Sequence, residues 1–147
     1  MFKRILVATD CSALSQKAVA AAIALAADHD ADLVALNVVP RYPRSYFEGS
    51  VRFSAEEIGR VEKQWADNAQ AMLEKVSALA KKSGVRARTI TVNSDLVGES
   101  ILTAARKHKN DLIVMASHGR KGLKRILLGS ETQHVLAHST LPVLVLR

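Results

Sequence analysis

The chain has 147 residues, of which 48% are hydrophobic and 24% are charged, the proportions of one globular domain with a sizeable core. Its apolar runs all fall short of the roughly 20 residues of a membrane span, and its first residues lack the pattern of a signal peptide. The single cysteine, Cys11, excludes an internal disulfide and suits a reducing compartment. We therefore expect one domain over residues 1–147 and a cytoplasmic location.

The net charge of +7 is concentrated in the second half of the chain. Residues 1–80 hold 9 basic and 10 acidic side chains, whereas residues 81–147 hold 12 basic and 4 acidic ones. A basic half is found in proteins that bind nucleic acid, a membrane surface or a small polyanion, and also as a merely solvated face. Aromatic residues make up only 4% and no DNA- or RNA-binding motif is present, so we expect neither nucleic acid nor a membrane as partner.

The first third of the chain predicts a strand, a helix and a second strand. A buried strand at 5–8 is followed by Ser12 as a helix cap and by an alanine-rich helix at about 13–27. The continuously apolar run at 33–39 predicts another buried strand, which Pro40 ends.

A long helix is predicted after a loop at 40–53, which is longer than a plain connection and therefore a candidate for function. The sequence "SAEE", which starts at Ser54, has the spacing of a capping box. Beyond it the apolar residues step by 3, 4 or 7 up to Gly84, which indicates one stripe that packs on the core. The stripe consists of Ile58, Val61, Trp65, Met72, Val76 and Leu79.

The rest of the chain continues the alternation of strands and helices. The predicted elements are an edge strand at 85–92 interrupted by Arg86 and Arg88, a helix at about 98–107, a buried strand at 112–115, a helix at about 130–138 and a last strand at 143–146. Alternating elements with continuously apolar strands predict an open, doubly wound parallel α/β sheet with helices on both faces. Ligands of such sheets bind beyond the carboxyl ends of the strands where the strand order reverses, so we expect Asp10 and the segment from Ala116 to face one crevice.

The stretch "MASHGRKGLKRILLGSETQ", residues 115–133, has the features of a phosphate site. Gly119 and Gly122 supply flexible backbone after a strand, Gly129 and Ser130 precede a helix, and "SETQ" has the spacing of a capping box. Four basic side chains are candidates for neutralising phosphate: Arg120, Lys121, Lys124 and Arg125. Neither a P-loop nor a dinucleotide-binding fingerprint is present, and a capped helix with a solvated basic face remains the alternative.

The same stretch resembles the glycine signature of the universal stress proteins, G-x2-G-x9-G-[ST]. Gly119 and Gly129 match its second and third glycines and Ser130 its last position, whereas Ala116 stands where the first glycine belongs. The resemblance covers the whole chain, from "ILVATDCSALSQKAVAAAIALA" to "LPVLVLR". It implies a five-stranded sheet of order 3-2-1-4-5, a homodimer and, for members that carry the signature, ATP binding.

The resemblance also implies a set of site residues. Asp10 and Val38 correspond to the positions that hold adenine and ribose, and the glycine loop with Ser130 to those that hold the phosphates. The predicted nucleotide-binding residues are Asp10, Val38, Met115, Ala116, His118, Gly119, Gly129, Ser130, Glu131 and Thr132. Ala116 weakens the match because glycine permits a positive φ or a close approach, although a residue that leaves a strand needs only ordinary β dihedrals.

No catalytic residue is predicted. Phosphoryl transfer usually needs a metal held by protein oxygens, and Glu131 is the loop's only nearby carboxylate. We therefore expect a regulatory module that binds ATP or another adenine nucleotide, with Mg²⁺ held mainly by the nucleotide and Ser130, and with little or no hydrolysis. His134 and His138 have a chelating spacing but lack a third ligand, so no metal site of the protein's own is predicted.

The final strand, Val143–Leu146, is apolar on both faces. Unpaired edges of this kind aggregate unless they are covered, and pairing about a two-fold axis covers them, which predicts a homodimer. The alternative function is a nucleotide-free dimeric interaction protein of the same family, in which the dimer or the loop at 40–53 recruits partners.

Overall fold

The computed structural model describes residues 1–42, 54–119 and 128–147, and their five strands form one sheet in the order β3-β2-β1-β4-β5. All neighbouring strands are parallel. The strands are β1 (Arg4–Ala8), β2 (Asp32–Val39), β3 (Ala87–Asn93), β4 (Leu112–Ala116) and β5 (Val143–Leu146). The helices are α1 (Ala13–His29), α2 (Ala55–Lys82), α3 (Val97–Lys107) and α4 (Ser130–His138). The predicted α/β class and strand order are confirmed.

Two apolar layers cover the faces of the sheet, because successive residues of a strand point to opposite sides. Ile5 and Val114 pack with α1 and α2 on one face. Leu6 and Ile113 pack with α3 and α4 on the other. The central strands are buried on both sides, which is the physical reason for their continuous apolar runs.

The starts of α1 and α2 agree with the sequence. Ser12 caps α1, where its hydroxyl accepts a hydrogen bond of 3.2 Å from the N–H of Ser15. Ser54 and Glu57 form the predicted capping box at the start of α2. Both helices therefore begin where a side-chain oxygen takes over the role of an absent backbone acceptor.

The capping box predicted at the start of α4 is wrong. Gly129 is the N-cap residue, with an extended backbone at φ −70° and ψ 159°, and Ser130 is already the first helical residue. The N–H of Gly129 donates to the carbonyl of Ser117 at 2.7 Å. This bond holds Gly129 as the N-cap, so the helix begins one residue earlier than the capping-box pattern predicts. No side-chain cap is formed at this helix end.

The apolar stripe predicted on α2 is buried only in part. Val61 and Leu79 are 36% and 52% exposed. The buried residues of α2 are Ala69, Leu73, Val76 and Ala80. The C-terminal half of the helix makes the contact with the sheet, and two of its four buried residues are alanines. The prediction considered only large apolar residues and therefore missed them.

The outer strands are β3 and β5, which confirms the prediction that the arginine-interrupted strand lies at an edge. In β5, Leu144 is 37% exposed and the other three residues are half-buried. Across the described ranges, no helix is both long and apolar enough to cross a membrane.

Candidate functional site

The reversal of strand order lies at β1, which pairs with β2 on one side and with β4 on the other. The chain leaves β1 towards β2 and leaves β4 towards β5, so the two connections diverge at the carboxyl ends, which is where ligands of such sheets bind. Asp10 follows β1, and the residues from Ser117 to Gly119 follow β4. Topology therefore places the candidate site between these two segments.

The structure brings Asp10 and Gly119 into contact. A Cβ atom built on Gly119 would lie 2.7 Å from Asp10 Oδ2, which is closer than real Cβ atoms come to other heavy atoms. The φ of Gly119 lies outside the left-handed region, so close approach, and not backbone conformation, is what favours glycine here. The two segments that the sequence was expected to bring together are therefore neighbours at the carboxyl ends of β1 and β4.

A network of polar groups holds the turn after β1. The Oδ1 atom of Asp10 accepts a 3.0 Å hydrogen bond from the N–H of Ser12, and Cys11 between them adopts a left-handed φ of 73°. The Asn37 amide donates to the carbonyl of Thr9 at 2.8 Å, and the Thr9 hydroxyl lies 3.0 Å from that of Ser15.

Sequence analysis assigned no role to Asn37, which supports this turn from the neighbouring strand. It is 6% exposed and is a polar residue within the apolar run of β2. A buried amide in a strand needs a hydrogen-bond partner, so the polar interruption was the signal that could have identified it.

The end of β4 is tied to α4 by Thr132. Its side chain is 2% exposed, and its hydroxyl lies 3.0 Å from the carbonyl oxygen of Ala116 and 3.1 Å from that of Ser117. Ala116 is the last residue of β4, and its φ is negative. Its backbone is thus an ordinary strand conformation, so alanine in place of glycine costs no left-handed strain.

Gly129 allows α4 to approach the end of β4. A Cβ atom at this position would lie 3.3 Å from His118 Cα and 3.4 Å from the carbonyl oxygen of Ser117, which are both backbone atoms. His118 is half-buried, with its Nδ1 atom 3.2 Å from the Ser117 hydroxyl. The signature glycines 119 and 129 are therefore both positions of close approach.

Glu131 and Gly98 join α4 to α3. The carboxylate of Glu131 accepts a 2.7 Å hydrogen bond from the N–H of Gly98, in the first turn of α3, a helix without a side-chain cap of its own. A Cβ atom at Gly98 would lie 2.7 Å from His134 Cδ2. The Glu131 carboxylate is thus committed to a neighbouring helix, a contact that the sequence pattern did not reveal.

The remaining predicted site residues fall at different depths. Met115 is 5% exposed and Val38 is half-buried, and both belong to the apolar layer under α3 and α4. Ser130 is exposed at the start of α4. The four basic candidates Arg120, Lys121, Lys124 and Arg125 lie outside the described residues, as does most of the loop at 40–53.

His134 and His138 form a stacked pair with ring centroids 4.3 Å apart. His134 Nε2 lies 3.4 Å from a Glu99 carboxylate oxygen, and His138 Nδ1 lies 2.9 Å from the carbonyl oxygen of His134. Within the described ranges, no group of three or more histidine, cysteine, aspartate or glutamate residues could hold a metal ion.

Comparison with known proteins matches this arrangement to one family. The model of the universal stress protein family matches residues 1–147. The chain belongs to the universal stress protein family. Universal stress protein YxiE of Bacillus subtilis is 36% identical over 149 residues, which cover all of both chains.

Solved structures of the family share the fold. The universal stress protein UspA from Lactobacillus plantarum superimposes with a TM-score of 0.83 at 25% identity, over 99% of this chain and 97% of that one. A universal stress protein crystallised in complex with cAMP has a TM-score of 0.71 at 25% identity, over 99% of this chain and 97% of that one. At least one similar protein of this family thus binds an adenine nucleotide.

Proposed function

We propose that this universal stress protein binds an adenine nucleotide, with ATP as the preferred ligand, in the crevice between the carboxyl ends of β1 and β4. It acts as a nucleotide-dependent regulatory module with little or no hydrolysis. The contact of Gly119 with Asp10 at the strand-order reversal is the observation that carries the proposal. The complex of a similar family member with cAMP supports an adenine nucleotide as the ligand class.

The phosphates are assigned to the start of α4. The N–H groups of Ser130, Glu131 and Thr132 belong to the first helical turn, which has no intrahelical acceptors for them, and the N-cap residue, a glycine, has no side chain to cap them. A helix N-terminus with free N–H groups favours an anion. The Glu131 carboxylate and the Thr132 hydroxyl have protein partners, so these two residues would act through their backbone N–H groups.

The nucleoside is assigned to the side of the crevice formed by β1 and β2. Asp10 supplies a carboxylate that can accept hydrogen bonds from ribose hydroxyls. Half-buried Val38 supplies apolar surface at the end of β2, and buried Met115 packs beneath the end of β4. Ala116 and His118 line the start of the loop, and the basic residues at 120, 121, 124 and 125 are proposed to neutralise the phosphates.

Little or no hydrolysis follows from the shortage of catalytic groups. Mg²⁺ would be held mainly by the nucleotide's own oxygens and by the Ser130 hydroxyl, because the Glu131 carboxylate is bonded to the N–H of Gly98. Steady turnover of ATP by the purified protein, abolished in a Ser130→Ala variant, would contradict this part of the proposal.

The protein is also proposed to be a cytoplasmic homodimer that pairs through Val143–Leu146. The half-exposed apolar side chains of this edge strand support pairing, because an uncovered apolar edge promotes aggregation. The nucleotide-free interaction protein remains the second candidate function, and Ala116 at the first signature position favours it.

Titration calorimetry with ATP, ADP and AMP in the presence of Mg²⁺ tests the proposal on the wild type and on Asp10→Ala. We expect ATP to bind, and the affinity to fall at least about tenfold in the variant, because a charged hydrogen-bond acceptor is lost. Asp67→Ala is the matched control, since Asp67 pairs with Lys63 on the exposed side of α2. If no nucleotide binds at millimolar concentration and none is released from the denatured protein, the nucleotide-free function is the correct one.

A further inference from the structure

A cleft lies at the opposite end of the strands from the proposed nucleotide site, among their amino ends. It has a volume of about 550 Å³, within the range of small-molecule sites. Leu33, Val34 and Ala87 contribute apolar lining from the starts of β2 and β3. The proposed nucleotide crevice is at the carboxyl ends, so the two sites are separated by the length of the strands.

Basic side chains from several elements converge on this cleft. Arg4 comes from β1, Arg88 from β3, Lys107 from the last turn of α3 and Lys109 from the turn after it. None of the four has a carboxylate within salt-bridge distance among the described residues. The cleft therefore concentrates unpaired positive charge in a concave surface.

The one carboxylate that lines the cleft does not neutralise these four groups. Asp32 is bound to Arg86, with its Oδ1 atom 2.7 Å from Arg86 Nε. His108, also in the lining, has a pKa lowered by burial and then by the nearby positive charges of Arg88 and Lys107. Burial is the larger cause, and the contribution of the two cations agrees with a positive charge at this place.

The dipole of α3 explains the position of only one of these basic residues. A cation in the last turn of a helix interacts favourably with the helix dipole, which explains Lys107. Arg4 and Arg88 lie on strands and gain nothing from a helix dipole. Like charges from separate elements repel each other, and although water screens these four exposed groups in part, an anion bound among them would relieve the remaining repulsion.

We infer that this cleft, lined by Arg4, Arg88, Lys107 and Lys109, binds a small polyanion that carries several phosphate groups. Its concave shape and limited volume suit a compact ligand, whereas a nucleic acid or a membrane surface is matched by an extended flat or striped basic face. Binding at the amino ends of the strands does not depend on the proposed nucleotide crevice.

The test uses inorganic tripolyphosphate as the probe, without Mg²⁺, at an ionic strength of about 0.15 M, where distant surface charges are largely screened. Backbone amide shifts are recorded by two-dimensional NMR on the Asp10→Ala variant, so that the proposed nucleotide crevice is weakened. We expect shifts at residues 86–88 and 107–109. Shifts confined to residues 116–119 and 128–132 would overturn the inference.

Calorimetry then compares two variants with the same change in net charge. In Arg88→Glu/Lys107→Glu the affinity for tripolyphosphate is expected to fall at least about tenfold. In Lys17→Glu/Lys75→Glu, exposed on α1 and α2 and outside the cleft, it is expected to stay within about twofold.

Three results would contradict the inference. Equal losses of affinity in both double variants would mean that only net charge matters. The second is that a single-stranded oligonucleotide shifts the amide signals of the cleft residues and tripolyphosphate does not, which would make nucleic acid the partner. The third is the same response to vesicles of anionic lipid, which would make a membrane surface the partner. Nucleotide titrations of the same variants distinguish a failure of this inference from a failure of the nucleotide proposal. ATP binding at the carboxyl ends is expected to persist in Arg88→Glu/Lys107→Glu.

Discussion

The contact between Gly119 and Asp10 gives the sharpest prediction about the proposed nucleotide site. In a Gly119→Ala variant, the new methyl group would start 2.7 Å from Asp10 Oδ2, whereas ordinary contacts begin at 3.4 Å. The carboxylate must therefore move by about 0.7 Å, and it can do so because it is the end of a side chain. The substitution displaces Asp10 without removing it.

The cost to the fold is expected to be small. Gly119 does not need a left-handed backbone, so alanine introduces no dihedral strain. The movement weakens the hydrogen bond between Asp10 Oδ1 and the N–H of Ser12, which is 3.0 Å long. We expect the free energy of unfolding to fall by about 1 kcal/mol, the typical net contribution of one hydrogen bond.

The cost to binding is expected to be larger than the cost to stability. A carboxylate moved by about 0.7 Å no longer matches the ribose hydroxyls, and we expect the ATP affinity to fall about tenfold, or about 1.4 kcal/mol. Urea denaturation measures the stability and titration calorimetry the affinity. Gly59→Ala is the matched control, because apart from the backbone of α2 itself no atom of the described residues lies within 4 Å of its Cβ position, and it is expected to leave ATP binding unchanged.

A double-mutant cycle separates the proposed cause from general damage. If Gly119→Ala acts through Asp10, it should have little further effect on ATP affinity in an Asp10→Ala background. Full additivity of the two losses would refute this reasoning. ATP binding by Gly119→Ala with wild-type affinity would equally show that the crevice between these two residues is not the nucleotide site.

Three further predictions concern other parts of the chain. Glu131→Ala should lower the free energy of unfolding by about 1 kcal/mol in urea, because the N-terminus of α3 loses its acceptor; an unaltered urea midpoint would count against the role. His108 has a folded-state pKa below its ordinary 6.5, so the unfolded chain binds more protons and stability falls as pH decreases below about 6.5. His108→Gln should lose less stability than the wild type between pH 7.5 and pH 5, and parallel curves would exclude the effect. Leu144→Lys, on the edge strand, should convert the proposed dimer to a monomer in sedimentation at micromolar concentration, and a wild type that is already monomeric would refute dimerisation through β5.

The sequence by itself determined the fold class and the order of the elements. Continuous apolar runs can be buried on both faces only in a parallel sheet covered by helices, and these runs became β1, β2 and β4. Local capping signals placed the starts of α1 and α2, because the hydrogen bonds involved join residues three positions apart. The family resemblance added the strand order, which periodicity alone cannot give.

Only the tertiary structure decided how distant residues meet. The 2.7 Å approach of Gly119 to Asp10, the bond from Gly98 to Glu131 and the cluster of basic residues at the amino ends join residues far apart in the chain. The same reason explains the wrong capping box at Ser130, because the bond from the Gly129 N–H to the Ser117 carbonyl determines where α4 begins. Long-range contacts leave no periodic signal in the sequence, so they become visible only when the strands are placed side by side.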